Sequence, residues 1–320
     1  MAATLVKLVE KPVRIFRRQR KETRRRKQMR AIREERSNCK QRSEANVFLT
    51  GDMGKLGTYI ANTLKYDYDI VGLDIQYSAK EDLANYEYVK EKMRGCEYVV
   101  HTAAIPHPGC GTIEDYVRVN VLGTLNILKA AEEDKAKRVI FLSSTGYYGC
   151  DIKGKLWPSY FPIDEKHPVA SIEGQSEGAL DAYNQSKVMA EQLCAYYGTN
   201  KRIEIVVLRL GPAASKAQDY PEGFSWRENN DWRRGTFFSN CHPQNVADTV
   251  KLAIEAKREF WYEAFNIVDK YTHESIDVRE FLEREYPDVE LRVEFTPHMG
   301  LIDVRKAERI LGFKPCEDLR

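Results

Sequence analysis

Two residues one helical turn apart carry the most chemistry in this sequence. Tyr183 and Lys187 bracket the run Tyr183-Asn184-Gln185-Ser186-Lys187, a spacing that puts a phenol and an ammonium on one face of a helix. A nearby ammonium favours the phenolate, so such a tyrosine can take a proton from a hydroxyl or return one to a carbonyl. Tyr-x-x-x-Lys occurs by chance in many helices and carries little alone. It gains weight from the preceding strand, Val139–Ser144, whose end reads Ser143-Ser144-Thr145. A hydroxyl there can hydrogen-bond the same substrate oxygen. Together the three groups suit proton transfer at a carbinol or carbonyl oxygen.

A second constellation lies near the start of the regular sequence. Thr50-Gly51-Asp52-Met53-Gly54-Lys55-Leu56-Gly57 follows a strand and opens a helix. Three glycines let the backbone turn tightly and approach a pyrophosphate, whose charge then rests on the helix N-terminus. Asp74 ends the next strand, 23 residues after Gly51. A carboxylate there accepts ribose hydroxyls and repels a 2′-phosphate, and Ile75, Gln76 and Tyr77 offer no Arg to hold one. NAD is favoured over NADP. The bland alternative is a structural glycine turn followed by an ordinary surface Asp.

These groups must be positioned by something, and the hydrophobic pattern predicts what. Strands are expected at Asn46–Leu49, Asp69–Leu73, Tyr98–His101, Val139–Leu142 and Ile203–Leu208. Helices are expected after the glycine turn through Leu64, over Val117–Ala131 and over Tyr183–Tyr197. Short buried strands alternating with helices predict an α/β fold, a doubly wound parallel sheet of the Rossmann type. Ligands of such sheets gather at the carboxyl ends of the strands, where all three motifs fall. Residues 211–240 read as a substrate-facing loop region. A helix at Asn245–Ala256, a strand at Ala264–Ile267 and a helix at Val278–Glu285 follow. The chain thus divides into a basic extension over 1–44, a cofactor-binding domain with Tyr183 and Lys187 over 45–210, and a small interleaved C-terminal substrate lobe over 211–320, part of which returns to the sheet.

Composition separates the extension from the rest. The net charge of +2 hides 16 Lys and Arg against 5 Glu in residues 1–44, a local +11, and therefore −9 beyond it. Three readings of the extension stay open: a solvated, partly helical segment, a surface for anionic membrane headgroups or nucleic acid, and a targeting peptide or over-extended start. Seven scattered cysteines with no Cys-x-x-Cys pair argue against a disulfide framework or zinc site. No apolar run is long enough to span a bilayer. A cytoplasmic location is expected, with organelle targeting by the extension left open. The six histidines show no metal-ligand spacing, so no metal is expected.

From about Val47 to Arg320 the chain resembles the extended branch of the short-chain dehydrogenase/reductase superfamily, the NAD-dependent epimerase/dehydratases. The resemblance rests on Thr50–Gly57, Asp82-Leu83, His101-Thr102-Ala103-Ala104, Asn120-Val121-Leu122-Gly123-Thr124, Ser143-Ser144 through Tyr148-Gly149, Tyr183 with Lys187, and the closing Asp303, Lys306-Ala307 and Leu311-Gly312-Phe313-Lys314-Pro315. It implies Ser144, Tyr183 and Lys187 as the catalytic residues. It implies cofactor contacts from Gly51, Met53, Gly54, Leu56 and Gly57 in the turn, and from Asp74, Ile75, Asp82 and Leu83 on the adenosine side. His101, Ala103, Ala104, Asn120, Ser143 and Leu210 join Tyr183 and Lys187 in that set. A homodimer is a further implication.

Substrate is less legible. Sugar-nucleotide epimerases usually carry Arg-x-x-Asn-x-Tyr-Gly-Pro after the active-site helix, where this chain has Arg209-Leu210-Gly211-Pro212. Asn245 stands where an Asp is common, and the second lobe is short. These departures resemble uronate-dehydrogenase-like members that act on free sugars. Thr145-Gly146 replaces the acid pair that 4,6-dehydration uses, which disfavours that reaction. Three functions follow: a sugar or sugar-nucleotide epimerase, a dehydrogenase of a free sugar or uronic acid, and a non-catalytic NAD-binding regulator. His107 and His167 are candidates for substrate contact. Trp157, Tyr160 and Phe161 can stack on a sugar or simply cover the core, and Arg227, Arg233 and Arg234 can bind a carboxylate or phosphate.

Overall fold

The computed structural model describes residues 45–149, 158–169, 181–213, 236–272 and 277–315. The basic extension, Trp157 and Arg227, Arg233 and Arg234 lie outside these residues. Six parallel strands form the main sheet: β1 (Asn46–Thr50), β2 (Asp69–Leu73), β3 (Tyr98–His101), β4 (Arg138–Ser144), β6 (Glu204–Leu210) and β7 (Glu263–Ile267), in the order β2-β1-β3-β4-β6-β7. The chain leaves β1 for β2 on one side, then crosses back to β3 on the other. The winding direction reverses between β1 and β3, opening a crevice beyond their carboxyl ends.

The strands are buried on both faces because their side chains alternate. Val47 and Leu49 of β1, Ile140 and Leu142 of β4, and Val206 and Leu208 of β6 face one layer. Helices α1 (Lys55–Leu64) and α6 (Pro243–Glu255) cover it. Phe48, Val99, Val139, Phe141, Ile205 and Val207 face the other, under α2 (Tyr86–Met93), α4 (Gly123–Glu133) and α5 (Ala182–Thr199). Each fully buried Val, Leu or Phe contributes roughly 1.5–3 kcal/mol, so both layers are anchored along each strand.

The first layer runs on through Phe161, Phe281, Leu282 and Leu301. Beyond the main sheet lie a two-stranded sheet, β5 (Tyr160–Phe161) with β8 (Glu290–Leu291), and the helices α7 (Val278–Glu285) and α8 (Arg305–Leu311). β7 pairs with β6 at the margin of the main sheet, and α6 packs on the first layer.

Several elements were not legible. α2 buries only Val89 and Met93, too few to set a period. β5 and β8 are two residues each, and α8 is seven residues long and ends at left-handed Gly312. The helix expected from Val117 begins earlier, at α3 (Ile113–Tyr116), because Thr112 and Asp115 form a reciprocal cap. It continues through a π-helical turn, Val117–Leu122, into α4.

Candidate active site

Gly51 has φ +68°, and a Cβ there would lie 2.7 Å from Thr102 Oγ1 and 2.8 Å from the Ala103 nitrogen. The turn therefore presses on the end of β3, and only glycine fits. Gly57 is equally constrained, since a Cβ would stand 2.0 Å from the Gly51 carbonyl oxygen. α1 starts at Gly54 with no side-chain cap and no acid in its first turn, which leaves its N-terminus suited to an anion. Met53 and Leu56 lie within this turn; Met53 is buried.

Asp74 closes the crevice on the β2 side. One carboxylate oxygen accepts the Met53 N–H at 3.1 Å and the other the Gln76 N–H at 2.9 Å. Burial raises its pKa, opposed by those hydrogen bonds. The Gln76 side chain adds a further hydrogen bond to the carboxylate. Ile75 beside it is exposed, Asp82 pairs with Arg118 at 2.8 Å, and Leu83 fits against Gly123.

His101 is neutral and fully satisfied. The Thr124 hydroxyl donates to the Asn120 carbonyl, so His101 Nε2 must donate to Thr124. Nδ1 then accepts from Thr50, whose oxygen accepts in turn from the Thr102 and Ala103 N–H groups. Burial, with Lys187 nearby, pushes its pKa down to about 3. Its ring holds the β3 end, with Ala103 and Ala104, against the glycine turn. Asn120, in the π-helical turn, donates to the Ile105 carbonyl and to Ser186 Oγ at 2.8 Å; Ser186 donates to the Tyr183 carbonyl. π-helical turns are frequent at functional sites, and here the turn anchors the helix that carries the phenol.

Lys187 is buried, and its Nζ donates to the Leu142 carbonyl at 3.0 Å, beneath the Tyr183 ring at 6.0 Å from its centroid. Burial lowers its pKa to about 8. Tyr183 is half-buried and packs edge-on against Tyr116, ring centroids 6.2 Å apart. Ser144 ends β4 and caps the short 3-10 turn Thr145–Tyr148, accepting the Gly146 N–H at 3.0 Å. A Cβ on Gly146 would lie 2.1 Å from Asn184 Oδ1 and 3.3 Å from Ser144 Oγ. The Ser144 turn thus abuts the first turn of α5, and strand end, phenol and ammonium meet in one place.

Some expected contacts belong elsewhere. Ser143 points to the other layer from Ser144, because successive strand residues face opposite sides, and its hydroxyl donates to Glu191 at 2.9 Å. His167 accepts from the Ser159 N–H and bonds the Pro168 carbonyl, buried between Tyr148 and Tyr160. Phe161 is fully buried and Tyr160 nearly so, which removes both as sugar-stacking faces. Leu210 is buried at the end of β6, in register with Ser144. His107 precedes α3, its pKa lowered by burial and by Lys55. Among the described residues no group of His, Cys, Asp or Glu can hold a metal ion, and no helix is long and apolar enough to cross a membrane.

The model of the NAD-dependent epimerase/dehydratase family matches residues 47–226, more than half of the chain. The chain belongs to this family. Its cofactor is NAD. Curated relatives include a Methanocaldococcus jannaschii protein provisionally named UDP-glucose 4-epimerase, 29% identical over 55% of this chain and 58% of the relative. The L-arabinose 1-dehydrogenase (NAD(P)(+)) of Haloferax volcanii is 28% identical over 52% and 66%. A decarboxylating sterol-4-alpha-carboxylate 3-dehydrogenase of Dictyostelium discoideum is 25% identical over 74% of each chain. The chain thus spans less than two thirds of the first two. Solved structures share the fold: UDP-glucuronic acid 4-epimerase from Bacillus cereus in complex with NAD (21% identity, 86% and 94% covered, TM-score 0.61) and glucuronic acid dehydrogenase from Chromohalobacter salexigens (17%, 86% and 86%, 0.57).

The residues present fit the family's cofactor, through the glycine cradle, the α1 N-terminus without a side-chain cap and the Asp74 carboxylate at the end of β2. Groups that sequence reasoning missed surround the site. Tyr116 supports the phenol, and Lys55 reaches across to the Ala213 carbonyl at 2.6 Å. Glu191 binds Arg209 behind the Ser144 turn. Glu191 left a signal, four residues beyond Lys187 on the same helix face, whereas Lys55 and Arg209 stand in runs already singled out for other reasons, Thr50–Gly57 and Arg209–Pro212.

Proposed function

We propose that this enzyme exchanges hydride at a carbinol carbon of a sugar or sugar nucleotide, with Tyr183 as the proton-transferring group. The observation that carries the reading is the buried Lys187 ammonium, fixed on the Leu142 carbonyl behind the Tyr183 ring. A cation so placed stabilises the phenolate that a proton acceptor needs. NAD, when bound, supplies the hydride acceptor and later donor.

The chain's own residues do the rest. Ser144 orients the substrate oxygen from the end of β4. Tyr183 takes the hydroxyl proton as the carbon–oxygen double bond forms and returns it when the reaction reverses. Lys187 holds the negative charge on the phenol in between. Tyr116 and the Asn120–Ser186 bridge keep the phenol in place.

In an epimerase the ketone turns over before the hydrogen comes back; in a dehydrogenase it leaves. The second outcome, oxidation of a free sugar or uronic acid, is favoured by the β6 exit. Arg209-Leu210-Gly211-Pro212 lacks the Asn and Tyr of sugar-nucleotide epimerases, and Gly211 lies so close to Val268 and Asn240 that a Cβ would meet them at 3.1–3.2 Å. The test is purified protein with added NAD and a panel of free sugars, uronates and UDP- or dTDP-sugars. NADH accumulating with one substrate supports the dehydrogenase. An inverted sugar without NADH supports the epimerase. Neither, with NAD bound, supports a non-catalytic NAD-binding regulator instead.

A further inference from the structure

The proton-transfer reading assigns no role to the most deeply buried ion pair near the site. Arg209 and Glu191, with side chains 3% and 1% exposed, face each other between β6 and α5. The guanidinium binds both carboxylate oxygens, its Nε at 3.0 and 3.2 Å and its Nη2 closer still. The remaining capacity of each partner goes to defined places. Glu191 Oε2 accepts from Ser143, and Oε1 accepts from Tyr262 at 3.0 Å, just before β7. Arg209 Nη1 donates to Tyr148 Oη at 2.8 Å and to the Glu165 carbonyl at 3.3 Å. Tyr148 Oη in turn donates a hydrogen bond to Asn266 Oδ1 at 2.7 Å. The guanidinium also lies 3.7 Å from the centre of the Tyr147 ring.

These contacts enclose Ser144. The residue before it is held by Glu191, and the last two residues of its turn are held by Arg209. Both anchors end on one ion pair, and that pair is rooted on α5 one helical turn below Lys187 and two below Tyr183. A buried pair costs desolvation that apolar residues of the same shape would avoid. Its retention beside the site calls for a gain other than stability, and fixing a geometry is such a gain.

We propose that Glu191 and Arg209 are positioning residues, a clamp that sets the Ser144 hydroxyl in register with the Tyr183–Lys187 face. The inference rests on the proton-transfer reading above for its purpose, but its geometry is testable without substrate. The clamp also places a carboxylate near the ammonium. Lys187 faces Glu191, Cys194 and the Tyr183 ring from its own helix, neutral His101 from β3, and the Phe141 ring and Leu142 carbonyl from β4. Cys194 and Glu191 oppose the lowering of the Lys187 pKa, and since burial pushes the Cys194 thiol well above its ordinary range, Glu191 is the partner that carries charge.

The experiment uses the full chain in two readouts. Hydrogen exchange, read by mass spectrometry, follows the Ser144–Gly149 backbone, where the Gly146 N–H is bonded to Ser144. Ser143→Ala and Tyr148→Phe each remove one anchor and leave the ion pair. Each is expected to speed exchange in that segment about fivefold, the worth of one hydrogen bond, with β1 unchanged. Carbon NMR of labelled lysine, with Lys187→Arg for assignment, follows the Lys187 titration. Glu191→Gln is expected to lower its midpoint by about one pH unit, a change that a purely structural role would not produce. Unchanged exchange in both single variants overturns the clamp even if Glu191→Gln does not fold. An unmoved Lys187 midpoint in folded Glu191→Gln overturns it as well. The reading beneath it is judged separately: a Tyr183→Phe variant that keeps full turnover removes the reading, whatever the exchange data give.

Discussion

Replacing Lys187 by Met should make the protein more stable at neutral pH while it sharply slows turnover. The ammonium is buried, and burial takes its pKa from 10.5 to about 8. That difference is worth about 3 kcal/mol. In the unfolded chain Lys187 protonates below its ordinary 10.5, whereas in the folded chain it does so only below about 8. The penalty is therefore complete below pH 8, and it fades as pH rises from 8 to 10.5. Methionine fills similar space without charge, but leaves the Leu142 carbonyl without this donor at a cost of about 1–2 kcal/mol. Lys187→Met should gain about 1–2 kcal/mol at pH 7, and that gain should become a small loss near pH 10.5. Urea unfolding of both proteins at matched pH reads the difference, which cancels other titrations. A variant less stable than wild type at pH 7, or a difference that does not change with pH, would refute the reasoning. Turnover should fall about 10²–10⁴-fold, as for loss of a proton-transfer group.

Other perturbations follow from the same geometry. Gly57→Ala forces a methyl 2.0 Å from the Gly51 carbonyl, so NAD affinity measured by calorimetry should fall at least about tenfold; unchanged affinity would show that the turn is not the cradle. Asp74→Asn keeps shape but removes charge, and should weaken NAD binding by about 1–3 kcal/mol while narrowing the preference over NADP; an unaltered ratio of the two would count against the ribose contact. Burial holds His101 neutral down to about pH 3, while its unfolded form protonates near 6.5, so it removes stability as pH falls below 6.5, about 2 kcal/mol by pH 5. His101→Gln should show a flatter fall over that interval, checked by unfolding at each pH. Asn120→Ala loses the bridge to Ser186 and Ile105 and should lower turnover more than NAD affinity, measured by parallel kinetics and calorimetry.

Much of the site was legible because its chemistry is local. The glycine spacing, Asp74 after β2, and Tyr183 four residues before Lys187 are each set by one turn or one strand end, and the fold brings them to the same edge of the sheet. The main strands were readable because both faces are buried, which makes runs such as Ile205–Leu208 continuously apolar. What escaped was non-local or polar. Nothing in sequence joins Glu191 to Arg209, or Ser143 to Tyr148, until β4, β6 and α5 are packed. The direction of the Ser143 side chain escaped for a different reason. Its type suits a cofactor contact, but strand alternation turns it away from Ser144. Tyr160 and Phe161 resemble exposed sugar platforms by composition, yet Phe161 fills the core beside Phe237 and Tyr286. α2 went unread because its buried contacts are two residues on a charged helix.

The central claim is that Tyr183, backed by Lys187, moves the proton while hydride passes to NAD. It is tested most directly by mixing NAD-loaded protein with the sugar panel in a single turnover and following the near-ultraviolet NADH band, wild type against Tyr183→Phe. The account predicts that one sugar reduces the bound NAD in wild type and that Tyr183→Phe, with NAD affinity intact, slows this at least about a hundredfold. Reduction at the wild-type rate in Tyr183→Phe would contradict it.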